Sequence, residues 1–415
     1  MTTINPAPSG LLSMRVPPSA MIYLDNSATT PLASEVIERM AWWRDGSFAN
    51  ASSVHQPGQR ARVVVDVARE TIARFIGAES KEVIFTSGGT EANNFATKGY
   101  ALRHWRESGT WPTILVPPTE HHAILEPARY LASLGAPLIE LAVDHSGRVL
   151  PDALRESLAR APRAVPPLVS IMHANNETGV INPIMELALL SHEYGAIMHS
   201  DAVQSFGKIS TDTPTLGVDM MTISAHKLHG PKGIGALYVS KMIELDPLIH
   251  GGSQERNRRG GTEPTELIVG FEQGVLLVSG ERREEHARQM EEMSCVLRER
   301  LRGIEGIRLI TPGRDSLPNI VSVTFDDADH LDGEGVIVGM DLEGVAVSNG
   351  AACTSGSIQP SHVLLAMGLP VEQARSAVRF SLSRFTTMDD INIGVAALER
   401  VLSRMRRREG PERGG

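Results

Sequence analysis

Short apolar runs alternate with amphipathic stretches through the first two thirds of the chain. Residues 82–86 read as a buried strand and residues 90–105 as a helix. Further strands are expected at 113–116, 168–172 and 196–199, with a helix over 184–194 between the last two. The run Val218-Asp219-Met220-Met221-Thr222-Ile223 and the run Gly235-Ala236-Leu237-Tyr238-Val239 flank a glycine-rich turn. This rhythm predicts an α/β fold, a largely parallel sheet covered by helices on both faces. In such sheets ligands bind beyond the carboxyl ends of the strands. The character changes near Gly280. A charged helix over 281–301 carries Met290, Met293, Leu297 and Leu301 on one stripe. Strand-like runs at 320–325 and 377–382 and a helix at 333–342 then suggest a smaller α+β domain.

Composition narrows the function classes. With 415 residues, 41% of them hydrophobic, two domains are the natural expectation. A net charge of -9 gives direct nucleic-acid binding no electrostatic support. Two cysteines, Cys295 and Cys353, cannot build a disulfide framework and suit a reducing cytoplasm. No apolar run approaches the roughly 20 residues that span a bilayer, so no membrane partner is expected. Residues 1–20, with four prolines, read as a disordered leader, with Met21 a possible authentic start, and residues 404–415 as a basic tail.

The candidate chemistry lies mostly after strands. In Ser224-Ala225-His226-Lys227, a lysine placed where apolar strands converge either sits in a surface turn or offers an amine of depressed pKa for a Schiff base. Gly88-Gly89-Thr90 opens a helix and reads as a phosphate cradle or an ordinary N-cap. Asp201 could cap the next helix or face a pyridinium nitrogen, with Gln204 on the same side. Asn175-Asn176 and His121-His122 fit polar turns as readily as ligand contacts; no further ligands match the histidines as a metal site. Cys353, among small residues and glycines, reads as a reactive thiol, whereas Cys295 reads as structural. Arg379, in a strand, could clamp a carboxylate or make a structural ion pair.

As an ordered set from about residue 23 to 390, these motifs resemble the cysteine desulfurases of the class V aminotransferase family. The set also includes Leu24-Asp25-Asn26-Ser27-Ala28-Thr29-Thr30, Asn175-Asn176-Glu177-Thr178-Gly179, Gly261-Thr262-Glu263-Pro264 and Arg379-Phe380-Ser381-Leu382. The likeness is strongest to the branch that feeds sulfur to iron–sulfur cluster and nitrogenase assembly. Departures at Ser27, Gly89, Asn349 and Ala351 are small exchanges, and residues 355–360 resemble the extended-loop branch.

The resemblance implies the type I pyridoxal-phosphate fold, with a mostly parallel, seven-stranded-type sheet in a large domain at 33–280. A smaller domain takes 21–32 with 281–403. It implies a homodimer with Lys227 as the Schiff-base residue for pyridoxal 5'-phosphate. Asp201 would pair with the ring nitrogen, Gln204 with the ring oxygen, and His121 would stack on the ring. Gly89, Thr90, Ser224, His226 and Thr262 of the partner subunit would hold the phosphate. Asn26, Asn176 and Arg379 would lie near the carboxylate of L-cysteine. Cys353 would accept the sulfur as a persulfide and pass it to an acceptor protein; it could also transiently share an iron–sulfur cluster, with no resident metal expected. Other class V lyases or aminotransferases, including a selenocysteine lyase, are the alternatives. The acceptor stays open among iron–sulfur scaffolds, tRNA thiolation and DNA sulfur modification.

Overall fold

The structure, a computed structural model, describes residues 21–328, 331, 333–350 and 359–408. Its twelve strands are β1 (Ile22–Tyr23), β2 (Val83–Thr86), β3 (Ile114–Val116), β4 (Leu138–Glu140), β5 (Leu168–Ser170), β6 (Ile197–Asp201), β7 (Met220–Ser224), β8 (Gly235–Val239), β9 (Ile307–Leu309), β10 (Ile320–Phe325), β11 (Val345–Ala346) and β12 (Val378–Ser381). Seven form one sheet in the order β2-β8-β7-β6-β5-β3-β4. β8 runs antiparallel to β2 and β7, and every other pair is parallel. β2, β3, β5, β7 and β8 are buried at every residue, as the near-continuous apolar runs require when helices cover both faces. β4, at the sheet edge, exposes Leu138 and Glu140, and its mixed pattern gave no strand signal.

Helix Gln56–Phe75 shows how the covering layer is built. His55 caps it by accepting from Gly58 N at 3.2 Å, Pro57 sits in its first turn, and Ala61, Val65, Ala68 and Ile72 form its buried stripe. The helix expected at 90–105 runs from Gly89 to Ser108, with a π turn at Phe95–Gly99 inside it. There the Gly99 carbonyl accepts from Asp246 N at 3.0 Å, and a Cβ at 99 would stand 2.9 Å from the Asp246 carbonyl oxygen. The loop packs too closely on the helix for a side chain or a regular ladder, which no periodicity reveals.

A second apolar core lies around the antiparallel sheet β12-β10-β9 and the parallel pair β1-β11. The stripe Met290, Met293, Leu297 and Leu301 of helix Glu281–Arg302 is buried in it, together with Leu24 from the start of the described chain. Residues 25–30 then cross to the large sheet as a strap. Ser27 N donates to Ser381 Oγ at 2.8 Å at one end, and Thr30 N donates to the His226 carbonyl at 3.0 Å at the other. Among the described residues, no helix is long and apolar enough to cross a membrane.

Candidate active site

Five segments leaving the carboxyl ends of parallel strands, joined by the strap and by the second sheet, enclose a cavity of about 390 Å³. Gly89, Thr90, His121, Asn176, Asp201, Gln204, His226, Lys227 and Arg379 all line it. They follow β2, β3, β5, β6 and β7, or lie in β12, so strand polarity brings residues far apart in sequence to one place.

Lys227 closes the single 3-10 turn Ala225–Lys227 after β7. Its amine donates to the backbone carbonyls of Ser27 and, at 2.7 Å, Ala28. Burial lowers its pKa to about 8; Arg379 adds to this, while Asp25 and Asp201 oppose it. Opposite it, Asp201 ends β6. Its Oδ2 accepts from Asn93 Nδ2 at 2.6 Å and its Oδ1 from Val203 N at 2.9 Å. A turn, not a helix, follows Asp201, so it caps no helix; its Oδ1 closes that turn on Val203 N, and the residue lines the cavity.

His121 caps helix His122–Ser133 by accepting from Ala123 N at Nδ1, 3.0 Å away, which puts its proton on Nε2. Burial lowers its pKa, so it presents a neutral flat ring to the cavity. His226, lowered to about 4 by burial and then by Lys227, is likewise neutral. At Gly89 a Cβ would stand 2.8 Å from Val203 Cγ2, so the backbone there is bare. Four buried polar atoms on the predicted residues find no hydrogen-bond partner among the described residues: Asn26 Oδ1, Gln204 Oε1, Ser224 Oγ and Arg379 Nε. Buried polar atoms are normally satisfied, and two of these residues, Gln204 and Arg379, line the cavity, which fits a polar ligand there. The set suits a flat ring bearing a basic nitrogen, an aldehyde and a phosphate: a neutral imidazole, a carboxylate, a free amine, and hydroxyl and imidazole groups at a bare backbone.

Arg379 makes the structural ion pair that was one of its two readings, and it also lines the cavity. It donates to Asp25 Oδ1 and to the Asn176 carbonyl, both at 2.8 Å. Three predicted residues lie elsewhere. Asn26 is buried within the strap, donating to the Ser381 carbonyl at 2.8 Å. Ser224 is just behind the lining, its Cβ 3.9 Å from where a Cβ at Gly89 would be. Thr262 lines a separate groove with Ser87 and Arg259. Cys353 lies outside the described residues.

Sequence reasoning passed over four members of the site: Asn93 and Asp25, which hold Asp201 and Arg379, and Glu177 and His362, which line the cavity. Asn93 stands one helical turn beyond Gly89, a spacing that places it on the same face.

Residues 22–393 match the family model described as aminotransferase class-V. A curated cysteine desulfurase IscS of Dictyoglomus turgidum is 44% identical over 385 residues, covering 93% of this chain and 95% of the relative. The X-ray structure of a NifS-like protein from Rickettsia africae superposes with a TM-score of 0.83 at 32% identity, over 92% of this chain and 99% of that one. SspA, solved in complex with cysteine, gives a TM-score of 0.74 at 35% identity, over 88% and 99% of the two chains. With the sheet order above, these likenesses give the chain the type I fold that the resemblance implied. The chain belongs to the class V aminotransferase family, among its cysteine desulfurases.

Proposed function

We propose that this protein is a pyridoxal 5'-phosphate-dependent desulfurase. It converts L-cysteine to L-alanine and passes the sulfur, as a persulfide on Cys353, to an acceptor for iron–sulfur cluster assembly or another thiolation pathway. The observation that carries the reading is the amine of Lys227, lowered to about 8 inside a cavity it shares with Asp201, Gln204 and His121.

Lys227 would hold the cofactor's aldehyde carbon, Asp201 its ring nitrogen and Gln204 its ring oxygen, with His121 covering the ring. Gly89, Thr90, Ser224 and His226 would take the phosphate, with Thr262 of the partner subunit in a homodimer. The exposure of Thr262 away from its own cavity accords with that placement. When bound, the cofactor draws off the electron pair left on the substrate Cα. Lys227, displaced by substrate, is then the base for the Cα proton, and an amine near 8 is roughly a tenth unprotonated at neutral pH, far more than an ordinary lysine. Arg379 and Asn176, joined through the Asn176 carbonyl, would orient the substrate carboxylate, with Asn26 fastening the strap to Ser381. The Cys353 thiolate attacks the substrate sulfur; an S–S bond forms as the Cβ–S bond breaks, and Cβ takes up a proton as alanine is made.

We assign residues 33–280 to the cofactor-holding unit and 21–32 with 281–403 to the smaller one. The two separate apolar cores support this. A cytoplasmic setting accords with the two cysteines.

Borohydride reduction of the purified protein should bleach its yellow colour and leave the cofactor's mass on the peptide containing Lys227. Cys353→Ser should keep the colour and lose sulfide release. Normal turnover of cysteine by that variant would overturn the assignment.

A further inference from the structure

Behind the cavity lies an amine that the proposed chemistry leaves unused. Lys208 is 7% exposed. Its Nζ donates to the Gln204 carbonyl at 2.8 Å, and no ion pair holds it among the described residues. An unpaired buried ammonium is costly, and a lysine kept in such a place is kept for its amine or replaced by an apolar residue.

The amine is connected to the site in two ways. A chain of hydrogen bonds runs from Lys208 Nζ to the Gln204 carbonyl. From the Gln204 side chain it runs by Nε2 to the Ser27 carbonyl at 2.9 Å, and the same carbonyl accepts from Lys227 Nζ. Lys208 and Lys227 also line one small cavity of about 30 Å³ under the strap. That is room for a single water, which would have both amines and Asn26 beside it.

We propose that Lys208 and Lys227 form a coupled pair sharing one proton, so that Lys208 keeps part of the Lys227 population unprotonated below its own titration. The proposal rests on the reading of Lys227 as the cofactor lysine and base. Burial lowers Lys208 to about 7, and the charge of Lys227 is the second cause. Two like charges in one buried place titrate as a pair, the second proton entering only at lower pH. When Lys227 is uncharged, the repulsion on Lys208 is lifted and Lys208 can hold the proton instead. The surroundings fix the charge that the pair feels. Asp25 and Asp201 attract the proton to Lys227, and Arg379 repels it. His121, His226 and His229 are all lowered and neutral, while Arg384 and His286 line the far side of the small cavity.

The test compares the loaded wild-type enzyme with Lys208→Met and Lys208→Gln. Glutamine keeps a donor for the Gln204 carbonyl and loses the charge; methionine loses both. In both variants the pH transition of the cofactor's visible absorbance and the acid limb of the kcat profile should move to higher pH. Activity at pH 7 should fall about three-fold, and the wild-type value should return by about pH 9. A shift in the methionine variant alone would make Lys208 a mere holder of Gln204, and superimposable profiles would remove its role altogether; either result overturns the shared proton. Borohydride trapping on the Lys227 peptide is run in parallel. Its failure would sink the cofactor assignment itself, whereas trapping without a pH shift would sink only the pair.

Discussion

Arg379 divides its guanidinium between structure and chemistry: one nitrogen holds Asp25, another holds the Asn176 carbonyl, and the Nε proton is left over. A planar fork makes those contacts from one buried position, which a single ammonium cannot do. Arg379→Lys should therefore raise KM for cysteine by about ten-fold or more while kcat changes less. Steady-state kinetics check this, and an unchanged KM would remove Arg379 from substrate binding. At this scale the sequence was most legible where a residue type is chemically expensive, as with a lysine among strands or an aspartate at a strand end. It was mute on Asp25 and Asn93, whose roles arise from contacts 354 and 108 residues away.

At the scale of elements, one histidine ties three strands of the large sheet. His199 in β6 bonds Ser170 Oγ of β5 at 2.8 Å and Thr222 Oγ1 of β7 at 3.1 Å. Burial lowers its pKa to about 3, so it is neutral in the fold and takes up a proton only on unfolding. Between about 6.5, where an unfolded histidine titrates, and about 3, the unfolded chain binds more protons, and stability falls as pH falls. At pH 5 the loss from His199 alone is on the order of 2 kcal/mol. The buried carboxyls Glu120 and Glu177, both raised by burial, work in the opposite direction, because they keep their protons in the fold. Thermal melts from pH 8 to 5 on wild type and His199→Gln separate the two: the variant's curve should be flatter, and parallel curves would count against this account. The strands that carry this network were legible because their apolar runs are unbroken. Short β4, β9 and β11 and the π turn were not, since pairing partners and loop contacts define them, and local pattern does not.

At the scale of the whole molecule, the alternation of strands and helices pointed to the sheet and to which end of it would bind. The place where the two cores meet was not legible, because it depends on a strap whose residues have no periodicity. That strap has a thermodynamic consequence. Leu24 is buried in the smaller core, Ser27 and Asn26 are fastened to Ser381, and Thr30 is fastened to the turn bearing Lys227. The first described residues thus cannot leave one core without unfastening the other. Two separate cores would ordinarily allow two independent melting events. Here calorimetry of the purified enzyme should give one heat-absorption peak whose van't Hoff and calorimetric enthalpies agree. Thr30→Val, which removes the hydroxyl bonds to His226 and His229, should begin to split it. Two resolved peaks in the unaltered protein would mean that the strap does not couple the cores. If the peak is single, the site between them opens only with the whole molecule, and its lysine is shielded by the global stability of the fold rather than by that of a loop.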